Sequence, residues 1–326
     1  MRRIHNNINL ILRHHSANTP SKKNKPPLYG MAMMVLGAII GDIAGSTYER
    51  DNCKHLDKIK LFAKRSRFTD DSVLTMATAD YLMRTRKKED TNTSYTQVYK
   101  EWGQRFPRAG YGYSFRNWLN DNNENPKPYN SWGNGSAMRV SPIAWVANDL
   151  EWAMEEAKKS AEVTHNHPEG IKGAQAVAAA IYLARTGKTK EEIRNFVQTE
   201  FGYNLHRTVD EIRPSYEFEV SCQKSVPEAI ISFLDSENFE DAIRLAISLG
   251  GDSDTIACIS GSIAHAFYGS IPEYMTTYCR NLLGKEETKV LETLDEFCEQ
   301  FVINGAADEL LLHDGNNQDE EVTLAK

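Results

Sequence analysis

Two acidic runs far apart in the chain limit its fold more than anything else in it. Thr69-Asp70-Asp71-Ser72 precedes the apolar helical run Val73-Leu74-Thr75-Met76-Ala77. Asp252-Ser253-Asp254-Thr255 follows the pair Gly250-Gly251 and opens a second helix of small apolar residues, Ile256-Ala257-Cys258 onward. A helix N-terminus carries about half a positive charge and favours one anion. Two acids pressed together there repel unless something positive sits between them. A single Asp-x-Asp-Thr reads as an over-acidic cap, with Ser253 or Asp254 satisfying free N–H groups. Two such mouths in one chain read as halves of a single site for a hard divalent cation with oxygen ligands. The fold must then bring two helix starts face to face.

The rest of the pattern supplies helices. Apolar spacing predicts them over 71–83, 150–163, 170–184, 191–199, 226–234 (with Pro227 at the start), 239–249, 252–268, 272–283 and 286–301. No period-two strand stands out, and only 211–221 reads as extended or irregular. The segments Phe106–Tyr113 and Asp121–Tyr129, dense in Gly, Pro, Asn and aromatics, read as structured loop. With no linker or repeat visible, the expectation is an all-α, single-domain orthogonal helical bundle spanning 33–305. Residues 1–30 are expected to be a disordered basic extension, and 306–326 a polar, disordered tail.

Charge and cysteine usage exclude several classes. Six of the 38 basic residues fall in the first thirty positions, which hold no acid, so the remainder sets 32 basic residues against 45 acidic ones. Such an acidic body does not suit nucleic-acid binding. No apolar run approaches the roughly 18–20 residues that cross a membrane. Five scattered cysteines without a C-x-x-C spacing point to reduced thiols and a cytoplasmic protein, not a zinc or disulfide framework.

Three further features bear on function. Gly37, Gly41 and Gly45 line one face of a helix, where another backbone can approach closely. Glu49 emerges at the end of this buried helix, and a lone carboxylate there needs a partner. Ser131-Trp132-Gly133-Asn134-Gly135-Ser136-Ala137-Met138 is no dinucleotide fingerprint, because no strand precedes it. Its glycines do leave N–H groups open to an anion beside a stacking ring; a plain turn is the competing reading. The string His165-Asn166-His167 is no nuclease motif without strands, though one histidine could face the same cavity.

Taken together, GAIIGDIAGSTYE, RFTDDS, SWGNGSAMRVSP, THNHPEG, SVPEAI and SLGGDSDTIACISGSIAHAFYG, in this order, resemble the ADP-ribosylglycohydrolase family from Met34 to about Phe301. The resemblance implies a central dinuclear metal cleft with Glu49, Thr69, Asp70, Asp71, Asp252, Asp254 and Thr255 at two Mg²⁺ ions, Mn²⁺ being a possible substitute. It implies substrate contacts from Trp132, Gly133, Asn134, Gly135, Ser136, Met138 and His165. The implied activity is hydrolysis of the bond between the distal ribose of ADP-ribose and an acceptor, a protein side chain or small molecule. Glu49 is the expected proton acceptor, with Asp252 and Asp254 next. A catalytically silent ADP-ribose-binding or structural protein of the same fold is the alternative. A monomer is expected, and the sequence names no acceptor. Relatives that carry a tyrosine shortly before Val226-Pro227 find no counterpart in Ser221-Cys222-Gln223-Lys224, so the adenine-side contacts are not assigned.

Overall fold

The computed structural model describes residues 33–86, 93–286 and 288–301. The expected basic extension over 1–30 and tail over 306–326 lie outside the described residues. Helix α1 (Leu36–Gly45) is buried along its whole length, as a run of Leu, Ile, Ala and Gly broken only by Asp42 requires. It lies against α12 (Ser253–Tyr268), which is buried from Ser253 to Ala266. The glycine stripe is what lets them touch. A Cβ added at Gly41 would fall 2.1 Å from the Ala257 carbonyl oxygen, and at Gly37 2.5 Å from that of Gly261. Backbone meets backbone along this seam, which no larger residue permits.

Around the pair stand α2 (Asp70–Arg86), α3 (Tyr95–Arg105), α4 (Tyr113–Leu119), α5 (Ser141–Val146) and α6 (Leu150–Glu162). They are followed by α7 (Pro168–Arg185), α8 (Lys190–Phe201), α9 (Val209–Ile212), α10 (Cys222–Asp235), α11 (Phe239–Ser248) and α13 (Glu273–Glu286). Residues 288–301 are also helical. One continuous hydrophobic core joins them, from Met34 to Cys298. Among the described residues there is no strand; the nearest approach is an isolated antiparallel bridge between Gly133 and Ser221. The architecture is all-α.

Local chemistry explains most boundaries. Ser94 and Asp149 cap α3 and α6, Thr189 and Glu192 form a capping box on α8, and Gly202 ends α8 in the left-handed region. Two expectations need correction. Helices α3, α4 and α5 lie where the apolar spacing marks no helix. Pro227 also does not start its helix: α10 begins at Cys222 and holds Pro227 inside it. The Cys222 N–H donates to the Trp132 carbonyl at 2.9 Å and its thiol bonds to that of Gly133, which fixes the chain before the proline is reached. Helix α1 stops at Gly45, so Glu49 lies four residues beyond it, in the turns of residues 46–51.

Candidate metal and ligand site

The first acidic mouth is the N-terminus of α2, and a buried carboxylate from α1 holds it. Asp42 accepts from the Thr69 N–H at 2.8 Å, the Thr69 hydroxyl at 2.7 Å, the Ser72 N–H at 3.1 Å and the Ser72 hydroxyl. Asp42 therefore caps α2 from another helix, and both of its oxygens are engaged. Asp70 and Asp71 are relieved of capping duty. Asp71 Oδ2 accepts from the hydroxyls of Thr69 (3.3 Å) and Thr255 (3.2 Å), while its Oδ1 is buried without a partner.

The second mouth is the N-terminus of α12, presented by a sharp turn. Gly250 and Gly251 have φ of +72° and +71°, and a Cβ on Gly250 would lie 1.9 Å from Asn52 Oδ1. That amide also accepts from the Gly251 N–H at 3.3 Å. Lys54 donates to the carbonyls of Leu249 and Tyr216 and fastens the turn to the 213–221 segment. The acids are not surplus caps here. Asp252, at the capping position, makes no capping bond; it accepts from the Asn134 side chain at 2.6 Å. Asp254 Oδ1 accepts from the Thr255 N–H at 3.0 Å.

The two mouths meet. Oxygens of Asp42, Asp71 and Asp254, all buried, lie within 4.8 Å of one another. Burial and mutual repulsion raise the whole group: Asp70 is pushed up to about 8 by burial first and then by the Asp42 charge. Asp71 and Asp254 are raised well above the usual range by burial and by neighbouring carboxylates. Asp42 and Asp252 are raised too, chiefly by burial. Acids so placed either keep their protons or share a cation. The orphaned Asp71 Oδ1 fits the second outcome, since an aspartate oxygen buried without a donor is the ligand a hard cation takes.

A cavity of about 390 Å³ opens over the acids. Of the residues singled out from the sequence, Glu49, Thr69, Asp70, Asp71, Asp252, Asp254, Thr255, Gly133, Asn134, Gly135, Met138 and His165 all line it. Trp132 and Ser136 do not. Trp132 is 52% exposed with its ring edge-on to His167, and Ser136 is fully buried with its hydroxyl on the Gly170 carbonyl at 2.7 Å. His167 accepts from the Glu169 N–H and caps α7. Sequence reasoning missed Asp42, although an aspartate inside an apolar helix is itself a signal. It also missed Tyr113, the first residue of α4, and walls contributed by loops: Tyr129, Phe218 and Val220.

Comparison with known proteins bears on family and fold. A family model described as ADP-ribosylglycohydrolase matches residues 30–313. The chain is 26% identical to ADP-ribosylhydrolase ARH3 of Gallus gallus, over 88% of this chain and 98% of that protein. It is 28% identical to ADP-ribosylarginine hydrolase Tri1 of Pseudomonas putida, over 72% and 69%. A solved structure titled ADP-ribosylglycohydrolase-related protein complex shares the fold, with a TM-score of 0.60 and 21% identity over 84% of this chain and 99% of the other. The chain belongs to the ADP-ribosylglycohydrolase family and is a glycosyl-bond hydrolase.

Proposed function

We propose that this enzyme cleaves the glycosidic bond between C1″ of the distal ribose of ADP-ribose and an acceptor atom, releasing ADP-ribose, with two Mg²⁺ ions at the acid cluster. One observation carries this reading: the N-termini of α2 and α12 converge in one cavity whose other wall is the Gly133–Gly135 loop and His165. The all-oxygen donor set of Asp70, Asp71, Asp252, Asp254, Thr69 and Thr255 suits Mg²⁺ or Mn²⁺ better than zinc. Bound there, the cations supply positive charge that orients ribose hydroxyls and water near C1″.

The chain's own groups supply the rest. Gly133 and Gly135 line the cavity without Cβ atoms to obstruct a diphosphate, while the N–H groups of Gly133 and Asn134 are held by Ser131 Oγ and the Val220 carbonyl. Glu49, half-buried in the cavity wall, takes a proton from the attacking water while the sugar passes through an oxocarbenium-like state. Asp252 is less free for that task because Asn134 holds one of its oxygens. The relatives named as ADP-ribosylhydrolases make an ADP-ribosylated protein or a small ADP-ribose conjugate the expected substrate. Five free cysteines suit a reducing compartment, and no helix among the described residues is long and apolar enough to cross a membrane.

The test is a product assay. Purified protein with Mg²⁺ is given ADP-ribosyl-arginine, ADP-ribosyl-serine and O-acetyl-ADP-ribose, and products are separated chromatographically. Free ADP-ribose from at least one of them supports the reading, with Asp254→Ala reduced to background and Glu49→Gln slowed by roughly 10²–10⁴-fold. AMP as product would indicate a phosphohydrolase, and tight binding without product a silent module; either result overturns it.

A further inference from the structure

Behind the Gly133–Gly135 loop runs a chain of buried polar contacts that ends on the cavity. Arg139 is fully buried, its guanidinium 4.2 Å from the centroid of the Tyr99 ring. Its Nη2 donates to the Ser160 carbonyl at 2.7 Å and to the Thr164 hydroxyl at 2.9 Å. Thr164 is also fully buried, and its Oγ1 lies 2.7 Å from Nδ1 of His165. The other ring nitrogen of His165 faces the loop. Nε2 is 3.2 Å from where a Cβ on Gly135 would stand and 3.6 Å from one on Gly133.

The direction of each hydrogen follows from what each group can do. A threonine hydroxyl has one hydrogen and two lone pairs, and a guanidinium only donates. Arg139 therefore occupies one lone pair of Thr164. Nδ1 of His165 is the acceptor within hydrogen-bond distance of that hydroxyl, and a fully buried hydroxyl keeps its hydrogen bonded. The threonine hydrogen is left for Nδ1. Burial, and then the Arg139 charge, hold His165 well below the usual histidine range, so the ring is neutral and carries a single hydrogen.

We propose that Arg139 and Thr164 lock His165 in the Nε2–H tautomer, making it a fixed hydrogen-bond donor to an oxygen of the ligand seated on the Gly133–Gly135 loop. Arg139 and Thr164 are positioning residues; His165 makes the contact. The tautomer stands on the contacts above, and only the identity of the ligand, ADP-ribose, rests on the function proposed. A ring of the opposite tautomer would turn a bare lone pair toward phosphate oxygens, which only accept, and repel them. The sequence string Thr164-His165 is thus one functional unit, with Arg139 of the glycine-loop motif as its third member.

Nitrogen NMR of protein with ¹⁵N-labelled histidine tests this, the His165 signals being assigned by their loss in His165→Gln. The expected wild-type spectrum has a non-protonated Nδ1 and a protonated Nε2. Thr164→Val should give averaged tautomer signals and weaken ADP-ribose binding, measured by calorimetry, by about tenfold. Thr164→Ser, which keeps the hydroxyl, should restore both. A wild-type ring protonated at Nδ1 overturns the proposal, as does a folded Thr164→Val protein with unchanged spectrum and affinity. An Nε2–H ring in a protein that does not bind ADP-ribose would uphold the tautomer and remove the substrate reading.

Discussion

Asp42 shows how much one side chain can organise. Four donors converge on its two oxygens, from the main chain and hydroxyls of Thr69 and Ser72. Asparagine has nearly the same shape but replaces one acceptor oxygen by an NH₂ group, which must then face a donor. Asp42→Asn should destabilise the fold by about 3 kcal/mol, because hydrogen bonds to a buried charged group are worth roughly 1.5–3 kcal/mol and the opposed donors lose their partners. Urea denaturation at neutral pH reads this directly. The same variant should weaken cation binding, measured by calorimetry, since Asp70 and Asp71 depend on the helix start that Asp42 clamps. An Asp42→Asn protein with unchanged urea midpoint and cation affinity would show the clamp to be dispensable. Asp70 and Asp71 could be read as candidates from their repetition of a pattern. Asp42 follows no spacing rule: a lone aspartate in an apolar helix signals a buried partner without naming it, and its donors lie 27 and 30 residues away in the chain.

At the scale of elements, the α1–α12 seam sets the distance between the two acidic mouths. Helix α1 carries Asp42 and leads to Glu49, and α12 carries Asp254 and Thr255. Gly41→Ala places a methyl group 2.1 Å from the Ala257 carbonyl, a position that real Cβ atoms do not occupy. The helices must separate. Overpacking of this kind typically costs about 1–3 kcal/mol, and a clash with rigid backbone belongs at the upper end. Gly41→Ala should therefore lower the thermal midpoint and also weaken cation binding, though no ligand side chain has changed. Gly284→Ala is the control, since its Cβ would meet only Leu291 Cδ2 at an ordinary 3.6 Å; it should leave both readouts where they were. The glycine stripe was legible because a period of four on an apolar run has few other uses. Helices such as α6 and α7 were legible from their spacing and alanine content. Helix α3 was not: its Tyr, Thr, Val and Trp are weak helix formers, and it is held by its Ser94 cap and by Tyr95, Val98, Tyr99 and Trp102 in the core. The cavity walls at Phe218 and Val220 were not legible either, since loops acquire their positions from the elements they rest on.

Over the whole molecule, the acid cluster couples stability to both protons and cations. Asp42, Asp70, Asp71, Asp252 and Asp254 are all raised in the folded protein, Asp70 to about 8, from an ordinary aspartate value of 3.8. A raised acid means that the native state binds more protons than the unfolded chain between the two values. Stability of the cation-free protein therefore falls as pH rises from about 4 toward about 8. Lowering the pH through that window returns the protons and relieves the repulsion, until other carboxylates that favour ionisation, such as Glu192 and Glu219, begin to be protonated. A divalent cation needs the same carboxylates ionised, so it must displace those protons. Its stabilisation should be large at pH 8 and small at pH 5. At a hundredfold excess over its Kd, a cation adds about 2.7 kcal/mol, which for a chain of this size raises Tm by roughly 4 °C. Differential scanning fluorimetry with EDTA or Mg²⁺, at pH 5 and pH 8, separates the possibilities. The expected pattern is a Tm in EDTA that drops between pH 5 and pH 8, and a Mg²⁺ increment that grows over the same interval. A Tm in EDTA that rises with pH, or a Mg²⁺ increment equal at both, would mean that the five carboxylates are not the group that links the fold to the cation.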